Sequence, residues 1–301
     1  MILVVGATGQ VGGAIAQRLL IEGRSVRVLL RPNSPSEQLA AQGFATPAAA
    51  LTGAGAEPVT GDLRDRVSLD AAVRGVDVVI TTANSAQRGG DDNPQTVDLD
   101  GNRNLVEAAA AAGVKQFVFV SASLADAGSP VPFLAAKGKT EDLLITGTMP
   151  YTILAPDAFM DFWLGVVVGL PALQGRPVIL VGTGERKHSF IASRDVVAYA
   201  TAVVDHPAAR NRRLVFGGPQ GVSYLDVVET FGRVLGRPLP VNHVAPGEPI
   251  PGMPDAVIPL AASFDMYDAV LPGQELADEF GVQLTTVEQF ARAMVGQGAD
   301  R

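Results

Sequence analysis

A chain of 301 residues that is 47% hydrophobic and 18% charged can bury a sizeable core, which excludes bulk disorder and suits one large α/β domain with a smaller companion. Its net charge of −8 repels phosphate backbones, and the basic spots at Arg210–Arg212–Arg213 and Arg186–Lys187 are too small for a nucleic-acid footprint. The absence of cysteine excludes disulfides, zinc–thiolate sites and thiol catalysis.

The chain opens directly on an apolar strand, Ile2–Val5, so no signal peptide is expected. The longest apolar stretch, Phe159 to Leu173, contains Asp161, Gly165, Gly169 and Pro171. It falls short of the ~20 apolar residues that a membrane helix needs. A soluble, cytoplasmic protein with no membrane or nucleic-acid partner is the expectation.

After the first strand, a helix over Val11–Ile21 leads to a strand at Ser25–Leu30. Strands follow at Glu57–Thr60, Val76–Thr81, Gln116–Val120 and Tyr151–Leu154, with a helix over Val97–Ala112 that ends at Gly113, a plausible cap. The strands are rich in Val and Ile and apolar on both faces, as strands covered by helices must be. This alternation predicts a Rossmann doubly wound α/β fold with a parallel sheet. Pro32 to Ala56 is longer than a minimal connection and reads as a loop with one or two short helices. Beyond Pro156 the alternation fades. Strands at Pro177–Val181 and Arg213–Phe216, with helices at Ser193–Val204, Tyr224–Leu235 and Thr286–Met294, predict a smaller α/β region. The expected division is a dinucleotide-binding domain over residues 1–156 and a substrate region over 157–301 that completes the cleft.

The strand–turn–helix junction carries Gly6-Ala7-Thr8-Gly9-Gln10-Val11-Gly12. Gly6 permits the tight turn, Gly9 lets the backbone approach a pyrophosphate, and Gly12 allows close packing of helix on strand. The phosphates would sit at the helix N-terminus, with Thr8 and Gln10 as added donors. At the end of the second strand, where a carboxylate would hold the ribose 2′-hydroxyl of NAD, the chain has Arg31, followed by Pro32, Asn33 and Ser34. A guanidinium pairs with a 2′-phosphate, so the expected cofactor is NADP, as NADPH.

Further motifs stand in order: Gly61-Asp62-Leu63-Arg64-Asp65, Asp98-Leu99-Asp100-Gly101-Asn102, Gly113-Val114-Lys115-Gln116-Phe117-Val118, Lys137 with Glu141, and Tyr151-Thr152-Ile153-Leu154-Ala155-Pro156. Together the chain closely resembles the NmrA-like branch of the atypical short-chain dehydrogenases/reductases. The stretch from Arg31-Pro32 through Gly61-Asp62-Leu63 is also similar to the isoflavone reductase and phenylcoumaran benzylic ether reductase group. The resemblance implies that Asp62 and Leu63 flank the adenine. It implies too that Thr82, Ala83 and Asn84 pass over the middle of the cofactor, and that the segment from Pro156 to Phe159 lies near the nicotinamide. Ala155 departs from an arginine common in that motif.

Ordinary short-chain dehydrogenases use a tyrosine with a lysine four residues on. The matching segment here is Phe133-Leu134-Ala135-Ala136-Lys137, so the lysine is retained and the hydroxyl is missing. The ether-reductase group implies that the lysine alone serves as acid or base, which makes Lys137 the leading catalytic candidate; ribose binding alone, or surface exposure, is the alternative. Lys139 points off that face. Glu141, one turn on, could pair with Lys137. Ser123, after the fifth strand, could bond a substrate carbonyl or simply cap a turn. His188, His206 and His243 are scattered and show no metal spacing. The run Phe159–Leu164 with Trp163, and later Phe264, Met266 and Tyr267, could form a wall for a flat aromatic substrate, a core helix or a homodimer contact. Two functions lead, ahead of an extended-type epimerase or dehydratase, against which Phe133 argues. One is an NADPH-dependent reductase for a small, fairly apolar carbonyl, quinone or enone. The other is a non-catalytic dinucleotide-binding redox sensor acting through a protein partner.

Overall fold

The computed structural model describes residues 1–32, 45–86, 90–250, 258–271 and 273–299. Its strands are β1 (Ile2–Val5), β2 (Val26–Leu30), β3 (Glu57–Thr60), β4 (Val78–Thr81), β5 (Gln116–Val120), β6 (Tyr151–Pro156), β7 (Val178–Val181), β8 (Arg212–Phe216) and β9 (Val241–Val244). One sheet has the order β3-β2-β1-β4-β5-β6-β8, and β7 pairs with β9 in a second. Neighbours from β3 to β6 pair in parallel, with Ile2 opposite both Val26 and Val78. Every residue of β1, β4 and β5 is buried, which explains their unbroken apolar runs. At the border, β3 exposes Glu57, Pro58 and Thr60, and an edge is where a strand tolerates proline. The fold class is the expected Rossmann one.

The helices of the first half are α1 (Gln10–Ile21), α2 (Pro47–Gly53), α3 (Arg66–Ala72), α4 (Asn102–Ala111) and α5 (Pro132–Thr146). Local chemistry sets their starts: the Thr46 hydroxyl accepts from the Ala49 N–H at 3.2 Å, and the Asp65 carboxylate from the Val67 N–H at 3.1 Å. The helix expected over Val97–Ala112 begins earlier and in a wider winding. Pro94–Gly101 is a π-helix that runs into α4. Asn93 starts it, its side chain accepting from the N–H groups of Gln95 and Thr96 at 2.9 and 3.1 Å. Buried Asn102 then donates its amide to the carbonyls of Val97 and Asp98, entering the helical ladder from the side.

By internal contacts the chain forms two units, Met1–Ala155 with Val196–Leu214, and Pro156–Asp195 with Val215–Arg301. The single boundary expected after residue 156 is therefore incomplete, since the chain returns to the first unit. Gln116 shows why. Its buried amide donates to Thr152 Oγ1 at 3.0 Å and to the Val203 carbonyl at 2.9 Å, and its oxygen accepts from the Asp205 N–H at 2.9 Å. Thr152 donates on to the Ala209 carbonyl at 2.9 Å. These bonds pair the buried Gln116 and Thr152 side chains with backbone groups of the returning segment.

The second unit holds α6 (Met160–Leu164), a π-turn at Gly165–Gly169, α7 (Leu170–Leu173), α9 (Tyr224–Leu235), α10 (Ile258–Ser263), α11 (Gln274–Phe280) and α12 (Val287–Ala299); α8 (Ser193–Ala202) begins in it and ends in the first. Its core is built from Trp163, Leu164, Val168, Phe231, Val287 and Ala291. Gly169 packs under the end of the Met294 side chain of α12: a Cβ there would lie 2.4 Å from the sulfur, so that side chain would have to shift. Strand β9, absent from the sequence reading, is short and exposes Asn242 and His243, which hides its period. No helix among the described residues is long and apolar enough to cross a membrane.

Replacing Gln116 by leucine removes three hydrogen bonds at once and leaves the buried Val203 carbonyl and the part-buried Asp205 N–H without that partner. The expected loss of stability is about 2–3 kcal/mol in urea titration. An unchanged midpoint would show that this join does not depend on the amide.

Candidate cofactor and active site

In an open parallel sheet with the order β3-β2-β1-β4, the chain leaves in opposite directions at β1 and β4, and ligands bind beyond the carboxyl ends of those two strands. The glycine-rich turn leaves β1 at that point, and Thr82 leaves β4 beside it. Gly6 sits at φ +90°, a conformation L side chains rarely adopt, and a Cβ there would also lie 2.6 Å from Thr82 Oγ1. A Cβ at Gly12 would lie 2.3 Å from the Gly6 carbonyl oxygen and 2.6 Å from the same hydroxyl. Gly9 differs. Its φ is −86°, and a Cβ would meet only the Gly6 oxygen, at 3.3 Å. Gly6 and Gly12 are thus demanded by the fold, whereas Gly9 is free to be glycine for an external reason. The N-cap residue of α1, Gly9, brings no capping side chain, and Thr8, Gly9 and Gln10 are exposed there while Val11 is half-buried. An uncapped twelve-residue helix behind an exposed glycine suits a pyrophosphate.

Beyond β4, Ala83 is buried and Thr82 and Asn84 are half-buried, the Asn84 amide turning back to the Thr82 carbonyl at 3.2 Å. Asp62 is half-buried and accepts from the Arg64 backbone at 2.9 Å, while Leu63 is buried beneath Gly101. Ser34 lies outside the described residues. Arg31 stands at the end of β2, but its guanidinium is engaged: it donates to the carboxylate of Asp92, which also lies 3.5 Å from Arg64. The carboxylate that meets Arg31 thus comes from the segment after β4, 61 residues along the chain.

Lys137, on α5, is 4% exposed. Its ammonium donates to the Val120 carbonyl at 2.9 Å and lies about 5 Å from the ring centres of Phe119 and Phe133. Phe133, at the position where a tyrosine would carry a hydroxyl, instead offers a ring face to the cation. Burial pushes the Lys137 amine below its ordinary range, opposed by the negative charges of Asp98 and Glu141. Asp98 is buried and accepts from the Ser85 N–H and hydroxyl at 3.0 and 2.6 Å. Surface exposure of Lys137 is ruled out, while Lys139 is exposed as expected.

Glu141 does not make the expected pair with Lys137. Its carboxylate accepts from the Ser121 hydroxyl at 2.5 Å and from the Arg213 guanidinium at 2.6 Å. Arg213 also donates to the carbonyls of Ala122 and Ser123 at 3.2 Å, and so clamps the loop after β5 that carries Ser123. Gly138 completes this packing, because a Cβ there would lie 2.3 Å from the backbone of Asp126 and Ala127. Sequence spacing offered no sign of Arg213, which is 72 residues from Glu141.

Pro156 and Phe159 belong to the second unit. Pro156 is buried, and Phe159 is half-buried where the chain bridges to Ile191. Trp163 is 7% exposed and packs on Phe264 with ring centres 4.6 Å apart, which makes it core rather than an open wall. A recess beside it is lined by Val181, Arg186, Tyr224 and Phe264. Met266 is 72% exposed, and Tyr267 is half-buried, its hydroxyl pushed above the usual range by burial. His188 is buried with Nε2 2.8 Å from the Phe264 carbonyl oxygen. No group of histidine and carboxylate side chains among the described residues could hold a metal ion.

The Glu141–Arg213 pair generates a direct test. Arg213→Met strands a buried carboxylate, and the expected cost is about 3 kcal/mol in chemical denaturation. Adding Glu141→Gln should recover part of that loss. Equal stability of Arg213→Met and the parent would show that the clamp is not structural.

The similarities of the whole chain accord with this geometry. A photosystem II assembly factor of Trieres chinensis is 28% identical over 81% of this chain and 72% of its own length. An NAD(P)H azoreductase of Xenophilus azovorans is 30% identical over 81% of this chain and 77% of its own. Among solved structures, the Citrobacter sp. triphenylmethane reductase complexed with NADP(H) superposes with a TM-score of 0.78 at 22% identity, covering 99% of this chain and all of the other, a likeness of fold. The model of the NmrA-like family matches residues 1–288, and the chain belongs to that family.

Proposed function

We propose that the protein is an NADPH-dependent reductase of small, fairly apolar carbonyl, quinone or enone compounds, aromatic ones included. The observation that carries this reading is the uncapped start of α1 behind Gly9, where the chain itself has no use for glycine. The azoreductase relative and the NADP(H)-bound structure of like fold support it. NADPH supplies the hydride when bound. The N–H groups of Gln10, Val11 and Gly12, beside Thr8, hold the pyrophosphate; Gly9, whose own N–H goes to the Gly6 carbonyl at 3.0 Å, leaves room for it, and Arg31 receives the 2′-phosphate. Asp62 and Leu63 border the adenine, and Thr82, Ala83 and Asn84 the middle of the cofactor. Lys137 holds a proton for the acceptor oxygen, and Ser123 orients that oxygen. The amine is suited to this because burial has already lowered its hold on the proton.

A second reading is favoured by one observation. The Lys137 ammonium is seated against the Val120 carbonyl and two aromatic rings, and Phe133 brings no hydroxyl. In that reading the chain senses NADPH and passes the signal to a protein partner, a role closer to that of the assembly-factor relative. The deciding experiment follows NADPH oxidation with a panel of quinones, enones and aldehydes. Saturable oxidation supports the reductase, and its absence across the panel with intact NADPH binding supports the sensor.

Two variants test the parts. Gly9→Val has an ordinary φ and one near neighbour, so it should fold with an unchanged melting curve while NADPH binding by calorimetry is lost. Normal binding by that variant would remove the turn from the site. Lys137→Ala should lower kcat by about 10²–10⁴ at saturating NADPH. In the parent, kcat should fall as pH rises through an amine pKa below the ordinary lysine value of ~10.4, since only the protonated amine donates. If Lys137→Ala raises the NADPH dissociation constant and leaves kcat and the pH profile intact, the lysine only holds ribose.

A further inference from the structure

The pairing of Arg31 carries a consequence for cofactor choice, which rests on the reading of a dinucleotide site beyond β1 and β4. Several charged side chains of the described residues meet at the end of β2. Arg31 donates to Asp92, Arg64 lies 3.5 Å from the other Asp92 oxygen, and Asp62 holds Arg64 through Nε at 3.4 Å. Among the described residues the two cations are met by Asp62 and Asp92, and the negative charge of Asp91 also acts on Arg64. The Asp92 side chain is only 10% exposed, and the backbone around it is anchored. Thr96 Oγ1 donates to the Asp91 carbonyl at 2.6 Å and accepts from the Asn93 N–H at 3.1 Å, while the Asn93 side chain caps the π-helix that follows. Asp92 is therefore held against Arg31 by the start of a helix.

A carboxylate bound to a guanidinium occupies the same donors that a phosphate would use. A 2′-phosphate can take Arg31 only by displacing Asp92 or by lying beside a like charge, which disfavours it. A ribose 2′-hydroxyl has no such conflict, because it can donate to the carboxylate, as acidic residues at this place do for NAD. We propose that Asp92 is a specificity-determining residue that narrows the preference of this site for NADPH over NADH by occupying Arg31 and Arg64. Arg31 alone reads as a selector for the 2′-phosphate. Arg31 with Asp92 is a selector held in check, and both reduced cofactors bind.

The test is calorimetric titration with NADPH, NADH, 2′,5′-ADP and 5′-AMP, with no turnover involved. Asp92→Asn should raise the ratio of NADPH to NADH affinity about tenfold, the size expected for removing one like charge at close range. The same gain should appear in the ratio of 2′,5′-ADP to 5′-AMP, which isolates the phosphate. Asp92→Ser should reproduce it, Asp92→Glu should not, and adding Arg31→Ala should abolish it. Melting curves identify any variant that fails to fold, and the serine and asparagine forms serve as substitutes for each other. Unchanged ratios in both, with NADPH and NADH still binding, overturn the role of Asp92 and leave the reductase reading standing. Failure of the parent to bind either cofactor overturns both. A fall of all four affinities together would make Asp92 a structural brace rather than a selector.

Discussion

The approach of the first turn to Thr82 is the constraint on which the rest of the first unit depends. Gly6 and Gly12 both lie where a single added carbon would collide with the Thr82 hydroxyl. That closeness seats the start of α1 over the gap between β1 and β4. A helix start so placed presents its N–H groups and positive end outward, and the helix has no side chain of its own to cap them. The anion-binding character of the site follows from backbone packing before any charged residue is considered. Thr82 also donates weakly to the Val5 carbonyl at 3.4 Å, which ties the strand ends to the turn they support.

Around Lys137 the chain solves a different problem, that of keeping charge away from water. Burying an isolated ammonium costs several kcal/mol. Here the cost is offset by one carbonyl, two ring faces and the fields of two buried carboxylates. Each carboxylate is in turn held by other donors, Asp98 by Ser85 and Glu141 by Ser121 and Arg213. None of these groups can be changed alone without leaving another buried and underpaired, so the set behaves as a unit. Gly138 is the steric counterpart, since it lets the loop carrying Ser123 lie against the helix carrying Lys137.

Much of the fold was legible because its signals are local. The apolar runs of β1 and β5, the glycine turn and the extent of α9 were all readable from neighbouring residues. What escaped depends on pairs distant in the chain. The β7–β9 sheet joins residues some sixty positions apart through a strand whose polar face hides its period. The return of Val196–Leu214 to the first unit rests on bonds from Gln116 that no composition reveals. At the site, Lys137 and the glycines were found because their motifs are contiguous. Asp92 and Arg213 were missed because each acts across 61 or more residues. The pairing of Glu141 shows the limit of helical spacing, which says which side chains share a face but not which partner outside the helix wins.

The outer border of the large sheet bears on how copies of this chain meet. In a parallel ladder the N–H groups alternate between the neighbouring strand and the open side. Gly61 donates to the Leu30 carbonyl at 3.0 Å, so by alternation the nitrogen of residue 58 faces outward. That residue is proline, which has no hydrogen to offer, and the adjoining Glu57 side chain is committed to Arg27. A foreign strand laid along this border would find a missing donor in the middle of its ladder and a charged pair at its start. Growth of the sheet from one molecule into the next is discouraged on this side, and a chain so rich in buried β-structure is guarded there against fibril-like stacking.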